Sequence, residues 1–176
     1  PKANIILFEP LERNVQRIKK NFQINNFIAE IKTTAVGDFE GVVTFFDMKS
    51  HENTIGSIDE EFVKGHKHHK DIIPIQVPMT TIDSLHNNNV DLMKVDVEGA
   101  DYEVIKGAIN TISKSRPNIL IEITNQQSAR KVMGLLTNLE FKYFIYELSD
   151  EKGVVLCPTI IRTEGARNYL LSTKNA

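Results

Sequence analysis

The sequence carries a single cysteine, Cys157, so no disulfide can form within the chain. That fits a reducing compartment, and a cytoplasmic location is the expectation. Neither sign of charge dominates: 21 basic residues stand against 23 acidic ones, a formal net charge of −2. A nucleic-acid-binding surface would normally need a basic excess, so nucleic acid is not an expected partner. No apolar run approaches the ~20 residues needed to cross a bilayer, and the first residues lack the pattern of a secretory signal. A membrane is therefore not an expected partner either. Internal repeats are missing, as are low-complexity stretches longer than Asn87-Asn88-Asn89. What is left is an ordinary globular composition, 41% hydrophobic and 25% charged, and 176 residues suit one domain over 1–176 with a substantial core.

The order of patterns argues for an α/β fold. Asn4–Glu9 holds four apolar residues in a row, which predicts a strand buried on both faces. Leu11, Val15, Ile18 and Phe22 then form one apolar stripe at helical spacing, with Pro10 ahead of the first turn and Asn25-Asn26 at the end. Ile28–Val36 reads as a second strand and Val42–Phe46 as a third, in a hairpin through residues 38–41. Residues 47–70 are irregular and hold four of the five histidines, which reads as a long binding loop with a short helix. Ile72–Met79 is a strand whose Pro74 and Pro78 place it at an edge, and Thr81 caps a short helix reaching His86. Asp91–Asp96 is the central strand, and its following helix buries Val104, Ile105, Ala108, Ile109 and Ile112 until Pro117 stops it. Asn118–Ile123 is a buried strand, 128–139 a helix, and Phe141–Leu148 and Asn168–Ser172 are closing antiparallel neighbours. Strands alternating with helices imply βαβ units and a mostly parallel sheet.

Three of these strands end in acid: Glu9, Asp96 with Glu98, and Glu122. In a parallel sheet those ends share one rim, where open α/β folds bind ligands. Like charges gathered closely cost energy, so fold stability alone gives no reason for Asp96, Glu98 and Asp101 to cluster. Glu9 suits two ribose hydroxyls. Asp96 shares a strand face with Lys94 and suits an amino group or a hydroxyl. Glu98 suits a base, provided that burial and neighbours raise its pKa. Bland readings compete: Glu9 as a cap, or Asp96 and Glu98 as acids that favour a helix N-terminus. The histidines 66, 68 and 69 have no Cys or carboxylate beside them at metal-motif spacing, and no metal is expected. Cys157 precedes Pro158 with no base next to it in sequence, and reads as packing.

Lys94-Val95-Asp96-Val97-Glu98-Gly99-Ala100-Asp101, Lys106-Gly107-Ala108 and Arg116-Pro117-Asn118-Ile119-Leu120-Ile121-Glu122 closely resemble the FkbM-type methyltransferases. So do Phe8-Glu9-Pro10 with Asn14 and Asn21, and Thr80-Thr81-Ile82-Asp83-Ser84-Leu85. The resemblance spans roughly Ile5 to Glu122. It implies a Rossmann-like methyltransferase domain that uses S-adenosylmethionine and transfers a methyl group to a hydroxyl of a sugar or other small metabolite. It implies Glu9 at the ribose hydroxyls, Asp38 near the adenine, and Asp96 near the methionine end and the acceptor, with Glu98, Asp96 and Glu122 as candidate catalytic carboxylates.

One departure stands out. Such methyltransferases begin with a strand and a glycine-rich loop, and no glycine precedes Glu9. The fold class expected is thus Rossmann-like, mostly parallel with an antiparallel C-terminal strand, and lacking the first strand and its glycine-rich loop. That predicts a natural protein longer at its N-terminus; a complete chain would instead need a swapped or homo-oligomeric partner to close its sheet. The alternative is a non-catalytic Rossmann-like binding or assembly module. A nicotinamide-dependent oxidoreductase shares the fold class, but also needs a glycine fingerprint.

Overall fold

The computed structural model describes residues 3–48, 56–65, 72–85, 89–150, 153–163 and 167–174. Strand β1, Ile6–Phe8, leads into helix α1, Glu12–Asn25. The Glu9 carboxylate accepts the Leu11 N–H at 2.8 Å, just ahead of the first turn. Asn26 ends the helix in the left-handed conformation at φ 55, a C-cap that asparagine tolerates. Val15 is fully buried and Ile18 and Phe22 are half-buried, so the predicted stripe faces inward.

The expected strand over 28–36 is two strands. β2, Glu30–Lys32, pairs parallel with β1 to make a two-stranded sheet. β3, Ala35–Val36, leaves for a second sheet of order β3-β6-β4-β5. There β4, Gly41–Met48, runs antiparallel to β6, Ile72–Thr80, so the expected hairpin with residues 28–36 does not form. β5, Gly56–Ser57, completes this sheet, and the short helix expected in the loop is α2, Glu60–Lys64. The four loop histidines, 51, 66, 68 and 69, lie outside the described residues.

β6 is an interior strand in name, and its prolines show why this is tolerated. The Thr80 carbonyl accepts from Gly37 N–H and the Pro78 carbonyl from Thr34 Oγ1, both toward β3. Side alternation therefore turns the nitrogens of Pro74 and Pro78 to that same side, where β3 covers only Met79 and Thr80. The expected edge position is thus corrected to an interior one, with β3 pairing only near the end of β6. Thr81 caps a turn rather than a helix, its Oγ1 accepting the Ser84 N–H at 3.1 Å.

The largest sheet has order β10-β9-β11-β8-β7. β7, Leu92–Val95, is parallel to β8, Asn118–Glu122. β9, Phe144–Ser149, and β11, Asn168–Ser172, are antiparallel neighbours as expected. β10, Gly153–Cys157, adds an antiparallel edge that hydropathy alone did not announce. Within this sheet only β7–β8 is parallel, so "mostly parallel" is corrected to mixed.

The predicted helix after β7 is broken into α3, Asp101–Lys106, and α4, Ile109–Ser115. The break has a cause at each side. A Cβ on Gly107 would stand 1.9 Å from the Gly37 carbonyl oxygen, so the chain pinches there against the turn after β3. The Asp83 carboxylate accepts the N–H groups of Asn110 and Thr111 at 3.1 and 2.7 Å, which starts α4 afresh. Helix α5, Gln126–Thr137, is capped by Asn125 and packs beside α3. Ile105, Ile112, Ile119, Ile121, Val132 and Leu171 meet in the main core. β7 is not buried on both faces: Met93 and Val95 are buried, whereas Leu92 and Lys94 are exposed. β1, likewise expected to be buried, is half-buried. Among the described residues, β1 and β7 each have a strand on one side only.

Candidate functional site

The sequence places an acid at the end of β1 and two after β7, and the fold brings these strand ends together. Glu9, Asp96 and Glu98 line one cleft of about 500 Å³. Its walls also hold Asn14 and Arg17 from α1, Ala35 and Val36 from β3, and Ile58. Glu122, at the end of β8, is not in that lining, but its charge reaches Glu98.

The turn after β7 is strained. Glu98 has φ 53 and Gly99 φ 104, both in the left-handed region. For Glu98 this costs about 1–2 kcal/mol relative to an ordinary conformation. A side chain at Gly99 would be strained by the backbone and crowded, since a Cβ would lie 3.1 Å from Phe62 and 3.2 Å from Asp59 Oδ2. Ser57, fully buried, donates its hydroxyl to the Glu98 carbonyl at 2.5 Å, which ties the β5–α2 segment onto this turn.

The carboxylates differ in what surrounds them. Burial pushes Glu98 above the usual carboxylate range, and Asp96 and Glu122 push it further, while Arg167 pulls it down. That meets the condition placed on Glu98 as a base. Burial also raises Glu9, against the Leu11 N–H, the Asn14 amide and Arg13, which lower it. Asp96 is paired with Lys94 on the strand face that alternation assigns to both. Arg13 grips both oxygens of Asp47 on β4, which locks α1 against the second sheet beside Glu9.

Asp38 is placed differently from the rest. It does not line the cleft; its carboxylate accepts from Lys106 Nζ at 2.7 Å, at the C-terminal end of α3. Asp101, which the sequence groups with Asp96 and Glu98, is fully buried and points inward to the hydroxyls of Thr124 and Ser128, each at 3.3 Å. Burial raises its pKa to about 7.

Two contributors were missed as site residues. Asn14 is buried in the cleft wall, its amide bonds Glu9, and its Oδ1 has no hydrogen-bond partner among the described residues. The signal was its position one turn into a helix that follows a carboxylate. Ser57 carried no signal, because its role depends on a contact 41 residues away.

The cleft gathers negative charge and acceptors. Several carboxylates converge, two of them are held partly desolvated, and a buried carbonyl oxygen on Asn14 awaits a donor. No group of three or more metal-ligating side chains occurs among the described residues. No helix of the described residues is long and apolar enough to cross a membrane.

No curated protein matches the sequence. Among solved structures, the chain is similar to the crystal structure of methyltransferase FkbM from Methylobacillus flagellatus, with a TM-score of 0.57 at 12% identity. The match covers 96% of this chain and 36% of that one, so the chain spans about a third of that neighbour's length. At such identity the likeness speaks for the fold alone. The family model described as the methyltransferase FkbM domain matches residues 1–143, which include the whole carboxylate cleft. With a match over most of its length, the chain belongs to the FkbM methyltransferase domain family.

Proposed function

We propose that this domain binds S-adenosylmethionine in the Glu9–Asp96–Glu98 cleft and supports methyl transfer to a hydroxyl oxygen of a small metabolite such as a sugar. The observation that carries the reading is the convergence of acids from two separate strand ends on one cleft in a chain of this family. The residues present fit the group. It is a sulfonium with an ammonium, and a cationic ligand offsets the repulsion that Asp96, Glu98 and Glu122 otherwise suffer. Its ribose hydroxyls need acceptors, and Glu9 and the orphaned Asn14 Oδ1 are acceptors side by side.

When bound, the cofactor supplies an electrophilic methyl carbon. The chain's own part is positioning and proton handling. Glu9, held by the Leu11 N–H and Asn14, presents a fixed carboxylate edge. Glu98, raised by burial and by Asp96 and Glu122, takes the proton of the acceptor hydroxyl as its oxygen attacks. Asp96 and Glu122 stay as neighbouring negative charge, and the in-line geometry supplies much of the rate.

The finer fold belongs to the same reading. Among the described residues β1 and β7, whose ends reach the cleft, each have a strand on one side only, and a Rossmann-like sheet carries one more parallel strand between such neighbours. Those open edges are also what favours the competing reading, a non-catalytic module that self-associates and has no cofactor affinity.

Calorimetry with S-adenosylhomocysteine separates the two. Binding by the intact protein is expected, weakened about 10- to 100-fold by Glu9→Gln, the range for losing hydrogen bonds to a charged group. An intact protein that takes up neither S-adenosylhomocysteine nor S-adenosylmethionine would end the proposal.

A further inference from the structure

A second cavity adjoins the cleft. It measures about 240 Å³ and opens between α2, α3 and α5. Ile58 and Ala100 line both spaces, and Gly99 connects this one to the Glu98 turn. Among the described residues its wall carries the polar side chains of Asp59, Glu103, Asn125, Gln127, Ser128 and Lys131, and Tyr102 supplies an aromatic face. We propose that this cavity is the acceptor subsite, and that it takes one uncharged, single-ring polyol and rejects phosphorylated or carboxylated relatives. The assignment rests on the methyl-transfer reading, whose site it extends.

Size comes first. A space of about 240 Å³ suits one hydroxylated six-membered ring. Rigidity comes next. Asp59 Oδ1 accepts the N–H groups of Glu61 and Phe62 at 3.0 and 3.1 Å, so this carboxylate is fixed on the wall. Asn125 Oδ1 accepts the Ser128 N–H at 2.8 Å, which orients its amide N–H groups as donors. Carboxylate acceptors and amide donors held around an aromatic face match the alternating donors and acceptors of a polyol ring.

Charge then selects. Asp59 and Glu103 outnumber Lys131, whose ammonium is engaged 5.1 Å over the Tyr102 ring. Among the described residues, a phosphate or carboxylate on the ring would meet two carboxylates against the single ammonium of Lys131. The sequence assigns 47–70 to a binding loop, and of that segment Ile58 lines both spaces and Asp59 lines the smaller one.

The test needs no cofactor and no turnover. Side-chain amide NMR signals of Asn125 and Gln127 are followed while methyl α-D-glucopyranoside, methyl α-D-mannopyranoside, myo-inositol, glucosamine or glucose 6-phosphate is added to the protein. At least one neutral polyol is expected to shift both signals in the millimolar range, with glucose 6-phosphate at least fivefold weaker. Glu103→Lys, a change on the rim, is expected to narrow or reverse that preference. The proposal is overturned if no neutral polyol moves the two amides, if the phosphate ester binds as tightly, or if glucosamine exceeds the neutral rings tenfold. S-adenosylhomocysteine binding without polyol binding sinks this inference alone. The converse sinks the methyl-transfer reading and leaves the subsite standing.

Discussion

Helix α3 has two ends that treat carboxylates in opposite ways. At its C-terminal end Asp38 is matched with Lys106, and the Gly37–Gly107 contact closes the packing. Asp83, nearby in the chain's path, has both oxygens occupied by N–H groups of α4. At the N-terminal end, Glu98 sits at positive φ with like charges beside it, and Asp101 is fully buried. Both N-terminal groups have raised pKa values, by burial first. The comparison separates acids that the fold matches with donors, at the paired end, from Glu98, whose carboxylate it leaves beside other acids.

The largest way to probe that difference is Asp101. Its pKa rises from 3.8 to about 7 on folding, so folding favours the protonated form. The stabilisation is therefore fully present below the unfolded value and is lost as pH rises through about 7. Between pH 5 and 8 the native protein should lose about 2 kcal/mol of urea-unfolding free energy from this group. Asp101→Asn keeps the shape and an acceptor for Ser128, and should flatten that profile and be the more stable form at pH 8. A variant that shows the same slope as the native protein would place the proton elsewhere.

Glu98 gives a smaller effect with two opposite signs. Glu98→Gly removes the left-handed side chain and the repulsion from Asp96 and Glu122. Stability should rise by about 1 kcal/mol, read from the urea midpoint at pH 7.5. Conversion of S-adenosylmethionine to S-adenosylhomocysteine with a hydroxyl acceptor should fall roughly a hundredfold, the typical worth of a general base. A variant that is more stable and equally active would remove Glu98 from the chemistry and leave it a strained turn residue.

The sequence made the α/β class legible because its signals there are local: the stripe Leu11–Val15–Ile18 on α1, the apolar run of β8, the stop at Pro117. The acidic strand ends were legible too, since Glu9, Asp96 and Glu98 follow apolar runs. What escaped was set by distant contacts. The split of α3 from α4 depends on Gly37 meeting Gly107, and the departure of β3 from β2 depends on Met79 and Thr80. β10 escaped because Val154, Val155 and Leu156 stay exposed, so burial left no alternation to read. In the site, Asp101 looked like one more rim acid; only its partners Thr124 and Ser128 turn it inward.

The smallest effect settles where Asp38 belongs. Family resemblance puts it near the adenine, while the fold pairs it with Lys106 outside the cleft lining. The ammonium is an exposed group, so the pair is screened by salt and contributes little. Asp38→Asn should therefore lower the melting temperature slightly at low ionic strength and hardly at all at high salt. Affinity for S-adenosylhomocysteine should stay within about twofold, well short of the loss that removing a hydrogen bond to a charged group brings. If calorimetry instead finds a tenfold loss, Asp38 leaves Lys106 when ligand arrives. The paired end of α3 would then belong to the cofactor site as well, and the contrast between the two ends would hold only for the empty protein.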